Sequence, residues 1–351
     1  MQLAVELKKS FKGFTLDVAF SLSSSRTGIF GPSGSGKSTI MHLLSGLGLP
    51  DSGHIRLDDT VLFDAKKKIN LKPDQRNIGV VFQHAHLFPH MSVKRNIFYG
   101  YKRVKPENRR IDPDRLFKVL GIGQLLSRDV STLSGGERQR IALARTVLSN
   151  PQLILMDEPL SALDEGHKFQ IIPYLKNVFD NYGIPMIFIS HSVLEMRMMT
   201  DEVLVIQKGR ILQHGAAEEL VKKSWGSGLE SYVNLIHLGD ASPYKDLFLY
   251  KWGDSRLILT EPAENEENLF ELDSRDILLF KRHPEATSAR NLLECTVADI
   301  YSSGNRVRVE LVCGNEHLIA QIVPESVHEL GIEKGAKVVA AIKASAFKRI
   351  F

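Results

Sequence analysis

Cysteine is nearly absent from this chain, with only Cys295 and Cys313 in 351 residues. Two thiols cannot build the disulfide framework of a small secreted scaffold, so the expectation is a pair of reduced thiols in a cytosolic protein, packed as small apolar side chains. Long apolar runs are missing as well. No stretch approaches the roughly 20 residues that a helix needs to span a bilayer, and Met1 to Phe14 lacks the long apolar core of a signal peptide. Where a membrane is involved, another subunit is expected to supply it. Charge of one sign is scarce too: 45 basic residues against 41 acidic leave a net +4, too small a surplus to make nucleic acid the default partner. The short run Lys66-Lys67-Lys68 reads as solvated loop. No low-complexity tract is present, which excludes a disordered chain.

What is there is globular. Hydrophobic residues make up 43% and charged residues 25%, near the averages of folded domains, and the length exceeds that of one usual domain. Up to about Leu220, short apolar runs alternate with helical stretches. Ile78 to Phe82, Leu153 to Met156 and Met186 to Ile189 read as buried strands, while Glu137 to Leu148 places Ile141, Leu143, Ala144 and Leu148 on one helix face. This pattern predicts an α/β fold with a mainly parallel core sheet. The texture changes at Lys222 to Gly228, and beyond about residue 245 short alternating strands dominate. Val297 to Tyr301 and Val307 to Val312 flank Ser302-Ser303-Gly304-Asn305 as a hairpin, so the second domain is expected to be a small β-barrel or sandwich.

Gly31-Pro32-Ser33-Gly34-Ser35-Gly36-Lys37-Ser38, followed by Thr39, lies between the apolar run Gly28 to Phe30 and the helical run Ile40 to Leu47. That strand, loop and helix context is what the G-x-x-x-x-G-K-[ST] spacing requires of a nucleotide site. Its glycines let successive N–H groups converge on phosphate, and the helix N-terminus adds partial positive charge. Lys37 reaches the β and γ phosphates and Ser38 ligates Mg²⁺, which indicates a nucleotide and nothing narrower.

Leu133-Ser134-Gly135-Gly136-Glu137 resembles the signature motif of the ABC ATPase family, and Leu153 to Asp157 followed by Glu158 resembles its Walker B strand. Ser161 to Asp164 is similar to the D-loop, Gln83 to the Q-loop glutamine, and His191 to the switch histidine. These motifs keep the family order and cover residues 1 to about 220. The resemblance implies a P-loop ATPase domain with a helical subdomain over residues 1–224. It also implies a set of roles. Asp157 holds Mg²⁺ with Ser38, and Gln83 approaches the metal or the water. Glu158 is the general base, and His191 links the base to the γ-phosphate. Phe11 matches the position of the adenine-stacking aromatic, with Phe14 as the alternative. Ser134, Gly135, Gly136 and Glu137 act on ATP held by a second copy, with Asp164 near the seam of a homodimer. The family's ATPases sit peripherally on the cytoplasmic face of a bacterial or archaeal membrane. They bind two copies of an integral permease subunit, here through His84 to Asn96, and serve an external substrate-binding protein.

Ser288-Ala289-Arg290-Asn291 and Ala341 to Ser345 resemble the Mop/TOBE-type domain of molybdate importers, an OB-like all-β unit over 286–351, with 225–285 as linker and β-rich segment. The implied ligand is molybdate or tungstate, for which Ser288, Arg290, Lys343 and Ser345 offer donors and cations. The same residues also suit a domain that only dimerises. Importers of sulfate, sugar or iron, a soluble ABC ATPase and a non-catalytic oxyanion sensor are the competing readings.

Overall fold

The computed structural model describes residues 1–161, 165–223, 232–262, 268–303 and 305–350. Its chain divides into Met1–Val221 and Lys222–Phe351. In the first unit Leu3, Val5 and Leu7 alternate with more exposed residues, as do Leu16, Val18, Phe20 and Leu22, forming β1 (Leu3–Phe11) and β2 (Phe14–Leu22) with one face of each buried. Gly13, at φ 83°, closes the hairpin between them. There follow β3 (Arg26–Phe30), α1 (Lys37–Ser45), β4 (Ser52–Leu57), β5 (Thr60–Asp64), β6 (Ile69–Asn70), β7 (Ile78–Val81), α2 (Val93–Tyr101), α3 (Pro113–Val119) and α4 (Gly135–Leu148). Then come β8 (Leu153–Asp157), α5 (Glu165–Tyr182), β9 (Met186–Ser190), α6 (Val193–Met199), β10 (Glu202–Gln207), β11 (Arg210–Ala216) and α7 (Ala217–Lys223).

These strands form an antiparallel sheet of order β2-β1-β4-β5-β6 and a second sheet of order β11-β10-β3-β9-β8-β7. In the second, every pair from β10 to β7 is parallel, and only β11 runs against its neighbour. The uninterrupted apolar runs of β8 and β9 are buried almost throughout, as strands covered on both faces must be. Leu16, Ile40, Ile55, Leu155 and Ile189 belong to one apolar core shared by the two sheets and α1. Helix α1 stops at Ser45 because Gly46 takes the left-handed C-cap conformation (φ 80°), which leaves Leu47 outside the helix and exposed. Helix α4 starts two residues before the expected Glu137, because Ser134 caps it. Parallel strands share a direction, so the loops after β3, β7, β8 and β9 all leave the same edge of the sheet. That edge is where α/β sheets bind ligands.

The second unit contains β12 (Val233–Leu238), β13 (Ala241–Tyr244), β14 (Leu247–Trp252), β15 (Ser255–Leu259), β16 (Asn268–Asp273), β17 (Ile277–Phe280), β18 (Asn291–Ser303), β19 (Arg306–Cys313), β20 (Glu316–Ile322), α8 (Pro324–Leu330), β21 (Lys337–Ile342) and β22 (Lys348–Arg349). Its sheets have orders β12-β16-β22, β13-β14-β15 and β17-β21-β18-β19-β20. The hairpin predicted around Ser302 to Asn305 is the β18–β19 pair, with Ser303 opposite Arg306. Tyr250, Trp252 and Phe270 share a core with Val309, Leu311 and Ala340, so the strands before residue 285 and those after it fill one interior.

The expectation of reduced thiols is corrected here. Cys295 and Cys313 form a disulfide across β18 and β19, with Cα atoms 4.4 Å apart. Both side chains are buried in the core, as expected of small apolar groups. What sequence composition did not convey is the register: Thr296 pairs with Val312, which puts the two cysteines directly opposite each other. Closing a loop of 18 residues stabilises the unit by about 3 kcal/mol in the chain-entropy account.

Candidate active site

The phosphate loop leaves β3 and enters α1 within a few residues, and its glycines have different physical reasons. A Cβ on Gly31 would meet the Ile206 carbonyl oxygen at 2.1 Å, and one on Gly36, at φ 110°, would meet Leu16 Cδ1 at 2.9 Å and Phe14 Cζ at 3.0 Å. Gly34 is held at φ 76° with open space around it, so there only the backbone demands glycine. Pro32, Ser33 and Gly34 are exposed. Ser35 is buried, and its hydroxyl has no hydrogen-bond partner among the described residues. Lys37 Nζ is buried inside the loop, donating to the carbonyls of Gly31 (2.9 Å) and Pro32 (3.1 Å). Burial pushes its pKa down, against the pull of Glu158 and Asp157, which favour the charge.

Helix α1 and two neighbouring strand ends, those of β8 and β9, supply the remaining groups. Ser38 Oγ, in the first turn of α1, donates to Asp157 Oδ1 at the end of β8 (3.3 Å). Thr39 follows, half-buried. Glu158 is next after Asp157. Its N–H donates to the Ile189 carbonyl at 2.9 Å, and its backbone sits at φ 44°. A left-handed conformation costs a residue other than glycine about 1–2 kcal/mol, strain that clusters at functional sites. His191, at the end of β9, places Nδ1 3.4 Å from Glu158 Oε1.

Asp157 carries its charge at a cost. Burial raises its pKa, the Ser38 hydrogen bond opposes this, and the Glu158 charge adds to the rise. A carboxyl whose pKa is raised by folding gives stability that is complete below its unfolded value of about 3.9 and is lost as pH rises through the folded value. Asp157→Asn is therefore expected to raise the unfolding midpoint of the nucleotide-free chain at neutral pH, by roughly 2–4 °C for each kcal/mol recovered. Calorimetry at pH 5 and pH 8 checks this, the gain being larger at pH 8. The same charged oxygen beside a hydroxyl fits Mg²⁺, which takes one or two carboxylates and fills its other positions with phosphate and water.

Phe11 is 49% exposed at the β1–β2 hairpin, 6.2 Å from the Phe14 ring. Phe14 lies against Gly36 and the core, so of the two it is Phe11 whose ring face is accessible. Gln83 is exposed just beyond β7. The loop after it is tied to α4: Gln139 Nε2 donates to the Phe82 carbonyl (3.3 Å), and Arg145 donates to those of Ala85 (3.2 Å) and His86 (3.0 Å). At the start of α4, Ser134 Oγ accepts from the Glu137 N–H (3.2 Å), and Glu137 Oε2 accepts from the Ser134 N–H (2.8 Å). This reciprocal cap holds the Glu137 carboxyl below the usual range, chiefly through the Ser134 N–H. Gly135 and Gly136 are the first two residues of α4, whose N–H groups have no partner within the helix. Asp164, expected in the D-loop, lies outside the described residues.

In the second unit, Asn291 of β18 pairs with Ile342 of β21, which carries Arg290 and Lys343 to one end of the same ladder. Ser288, Arg290, Lys343 and Ser345 are all exposed there.

Two residues beside this edge were not anticipated. Glu195 and Lys168 form a partly buried ion pair behind His191. The only local signal was the Ser192-x-x-Glu195 spacing of a helix cap. Ser192 does cap α6, but the Glu195 carboxylate turns to Ser190 instead.

Comparison with known proteins extends these observations. The ABC transporter family model matches residues 16–161 and the TOBE domain model residues 287–348. The molybdenum import ATP-binding protein ModC of Brucella abortus (strain 2308) is 36% identical over 364 residues, spanning 99% of this chain and 98% of its own length. Its namesake in Mannheimia succiniciproducens is 37% identical over 357 residues, spanning 98% and 99%. Among solved structures, cbiO1 from Clostridium perfringens, part of the ABC transporter complex cbiONQ, aligns with a TM-score of 0.55 at 29% identity, over 63% of this chain and 90% of that one. The dimeric ATP-binding cassette MJ0796, solved with ADP and Pi, shares the fold at a TM-score of 0.52 and 24% identity, over 62% of this chain and 99% of its own. With matches of this identity along almost its entire length, the chain belongs to the ABC transporter family and, within it, to the molybdenum import ATP-binding proteins.

Proposed function

We propose that this chain is the ATP-hydrolysing motor of a molybdate importer, with tungstate as a second cargo. Two copies work on the cytoplasmic face of the cell membrane beneath two permease subunits, fed by a binding protein on the other side. No described helix is long and apolar enough to cross a membrane, so the permease supplies the path. The observation that carries the reading is the convergence of Lys37, Ser38, Asp157, Glu158 and His191 at one edge of the parallel sheet.

In this reading the loop Gly31 to Thr39 cradles the phosphates of ATP with its N–H groups and the Lys37 ammonium, while Phe11 stacks on the adenine. Ser38 and Asp157 would hold Mg²⁺, with Gln83 as a further candidate oxygen donor, and the bound ion would supply positive charge for the phosphates. Glu158 accepts a proton from the attacking water as its oxygen bonds to the γ-phosphorus and the bond to ADP breaks. His191 orients that carboxylate and hydrogen-bonds the γ-phosphate. The Gly135 and Gly136 N–H groups, at the N-terminus of the 14-residue α4, close on the γ-phosphate bound by the other copy. His84 to Asn96 meets the permease: Arg145 and Asn96 hold this loop from behind, leaving Pro89 and His90 exposed. The end of the β18–β21 ladder, with Ser288, Arg290, Lys343 and Ser345, receives the oxyanion and restrains the motor when cargo accumulates.

The test is the ATPase rate of the complete transporter in proteoliposomes, with the binding protein and each solute of a panel supplied only on the side of the membrane away from this chain. Molybdate and tungstate are expected to stimulate it, with no response to sulfate, maltose or ferric iron. Stimulation by one of the latter without molybdate would reassign the cargo and leave the motor intact.

A further inference from the structure

Behind His191 lies a carboxylate that the chemistry above does not use. Glu195, only 5% exposed, accepts through both oxygens: Ser190 Oγ donates to Oε2 at 2.5 Å and Lys168 Nζ donates to Oε1 at 3.1 Å. Ser190 Oγ also accepts from the Ser192 N–H (3.0 Å), and Ser192 Oγ from the Glu195 N–H (3.3 Å). His191 therefore stands between two serines that are both hydrogen-bonded into Glu195. The residue at the far end of this chain of bonds, Lys168, belongs to the first turn of α5, a separate element of the same unit.

We propose that Lys168 and Glu195 are positioning residues for hydrolysis: they lock the turn Ser190–Ser192 so that His191 Nδ1 stays within 3.4 Å of Glu158, and they make that turn follow the start of α5. A buried carboxylate is stable only when paired and hydrogen-bonded. The pair thus has one low-energy arrangement, and moving either partner drags the histidine turn with it. Displacing a reacting group by even 1 Å is enough to slow chemistry greatly. Neither residue touches the reacting atoms, so both act through His191. The inference rests on the reading of Glu158 and His191 as the hydrolytic pair.

The test uses the full-length chain. Lys168→Met and Glu195→Gln are expected to lower kcat about 10- to 100-fold while KM and ATP affinity move less than about threefold. Lys168→Arg, which keeps the ion pair, is expected to recover most of the rate. A purely structural role would instead reduce the fraction of chains that bind ATP, which nucleotide titration reads directly. In a His191→Ala background, Lys168→Met should add no further loss, because its effect already passes through the histidine. Multiplying losses in that background, or a kcat within about twofold of the unsubstituted chain for both single variants, would overturn the proposal. Should Lys168→Met fail to bind ATP, Glu195→Gln, which retains size and an acceptor oxygen, decides alone. If Glu158→Gln hydrolyses at the full rate, the reading beneath the proposal fails, and that outcome is separate from the others.

Discussion

A chain carrying Glu158→Gln is expected to bind ATP at least as tightly as the unsubstituted protein and to hydrolyse it about 10²- to 10⁴-fold more slowly. The amide preserves shape, so the left-handed backbone at φ 44° and the N–H bond to Ile189 stay as they are. It can still meet His191, 3.4 Å away, but it cannot hold the proton that the attacking water must lose. The change also removes a negative charge. Glu158 at present favours the Lys37 ammonium and disfavours ionised Asp157, so its loss affects these two groups in opposite ways. Repulsion of the triphosphate falls as well, which is why affinity holds or improves. Single-turnover phosphate release and titration with a fluorescent ATP analogue separate the two effects. Hydrolysis within about tenfold of the original rate would mean that another group takes the proton.

The legibility of this site in the sequence follows from which contacts are local. The phosphate loop is a contiguous segment whose strand, turn and helix context is itself sequential, so Gly31 to Thr39 could be read directly. Asp157 and His191 were legible because they match motifs of the family, Asp157 as the last residue of β8 and His191 as the first after β9, and parallel strands deliver such positions to one edge. The bond between Lys168 and Glu195 spans 27 residues and two helices, and no periodicity reports it. The cysteines show a subtler limit. The hairpin at Ser302 to Asn305 was correctly placed, yet Ser303 opposite Arg306 would by simple counting put Cys295 across from Gly314. An irregularity between Val297 and Asp299 shifts the pairing by one residue and brings Cys313 opposite instead. A bulge of one residue leaves little trace in the alternation pattern, so the compositional argument for free thiols had nothing local to oppose it.

The second large effect concerns the seam between two copies. Lys37→Met and Gly135→Asp are each expected to reduce the ATPase of the proposed homodimer to about a hundredth or less, the scale on which single phosphate or oxyanion donors act. The two lesions differ in kind. Methionine removes the ammonium that the Gly31 and Pro32 carbonyls hold inside the loop. Aspartate at the first position of α4 sets a carboxylate where the γ-phosphate should arrive. An acidic residue there favours the helix itself, and the Ser134–Glu137 cap is untouched, so lost activity cannot be ascribed to a melted helix. In a two-fold pair the same patch serves both copies, each loop facing the other's α4. A mixed dimer then concentrates both lesions in one site and leaves the other whole, with Lys37 from the Gly135→Asp chain and the glycines from the Lys37→Met chain. Equimolar mixing should therefore restore activity toward roughly a quarter of the original, since half the dimers are mixed and each holds one working site of two. Phosphate release from the mixture, compared with each variant alone, measures this directly. Sites complete within a single chain would give no recovery at any ratio, and the signature residues Ser134 to Gly136 would then lose their assigned role across the seam.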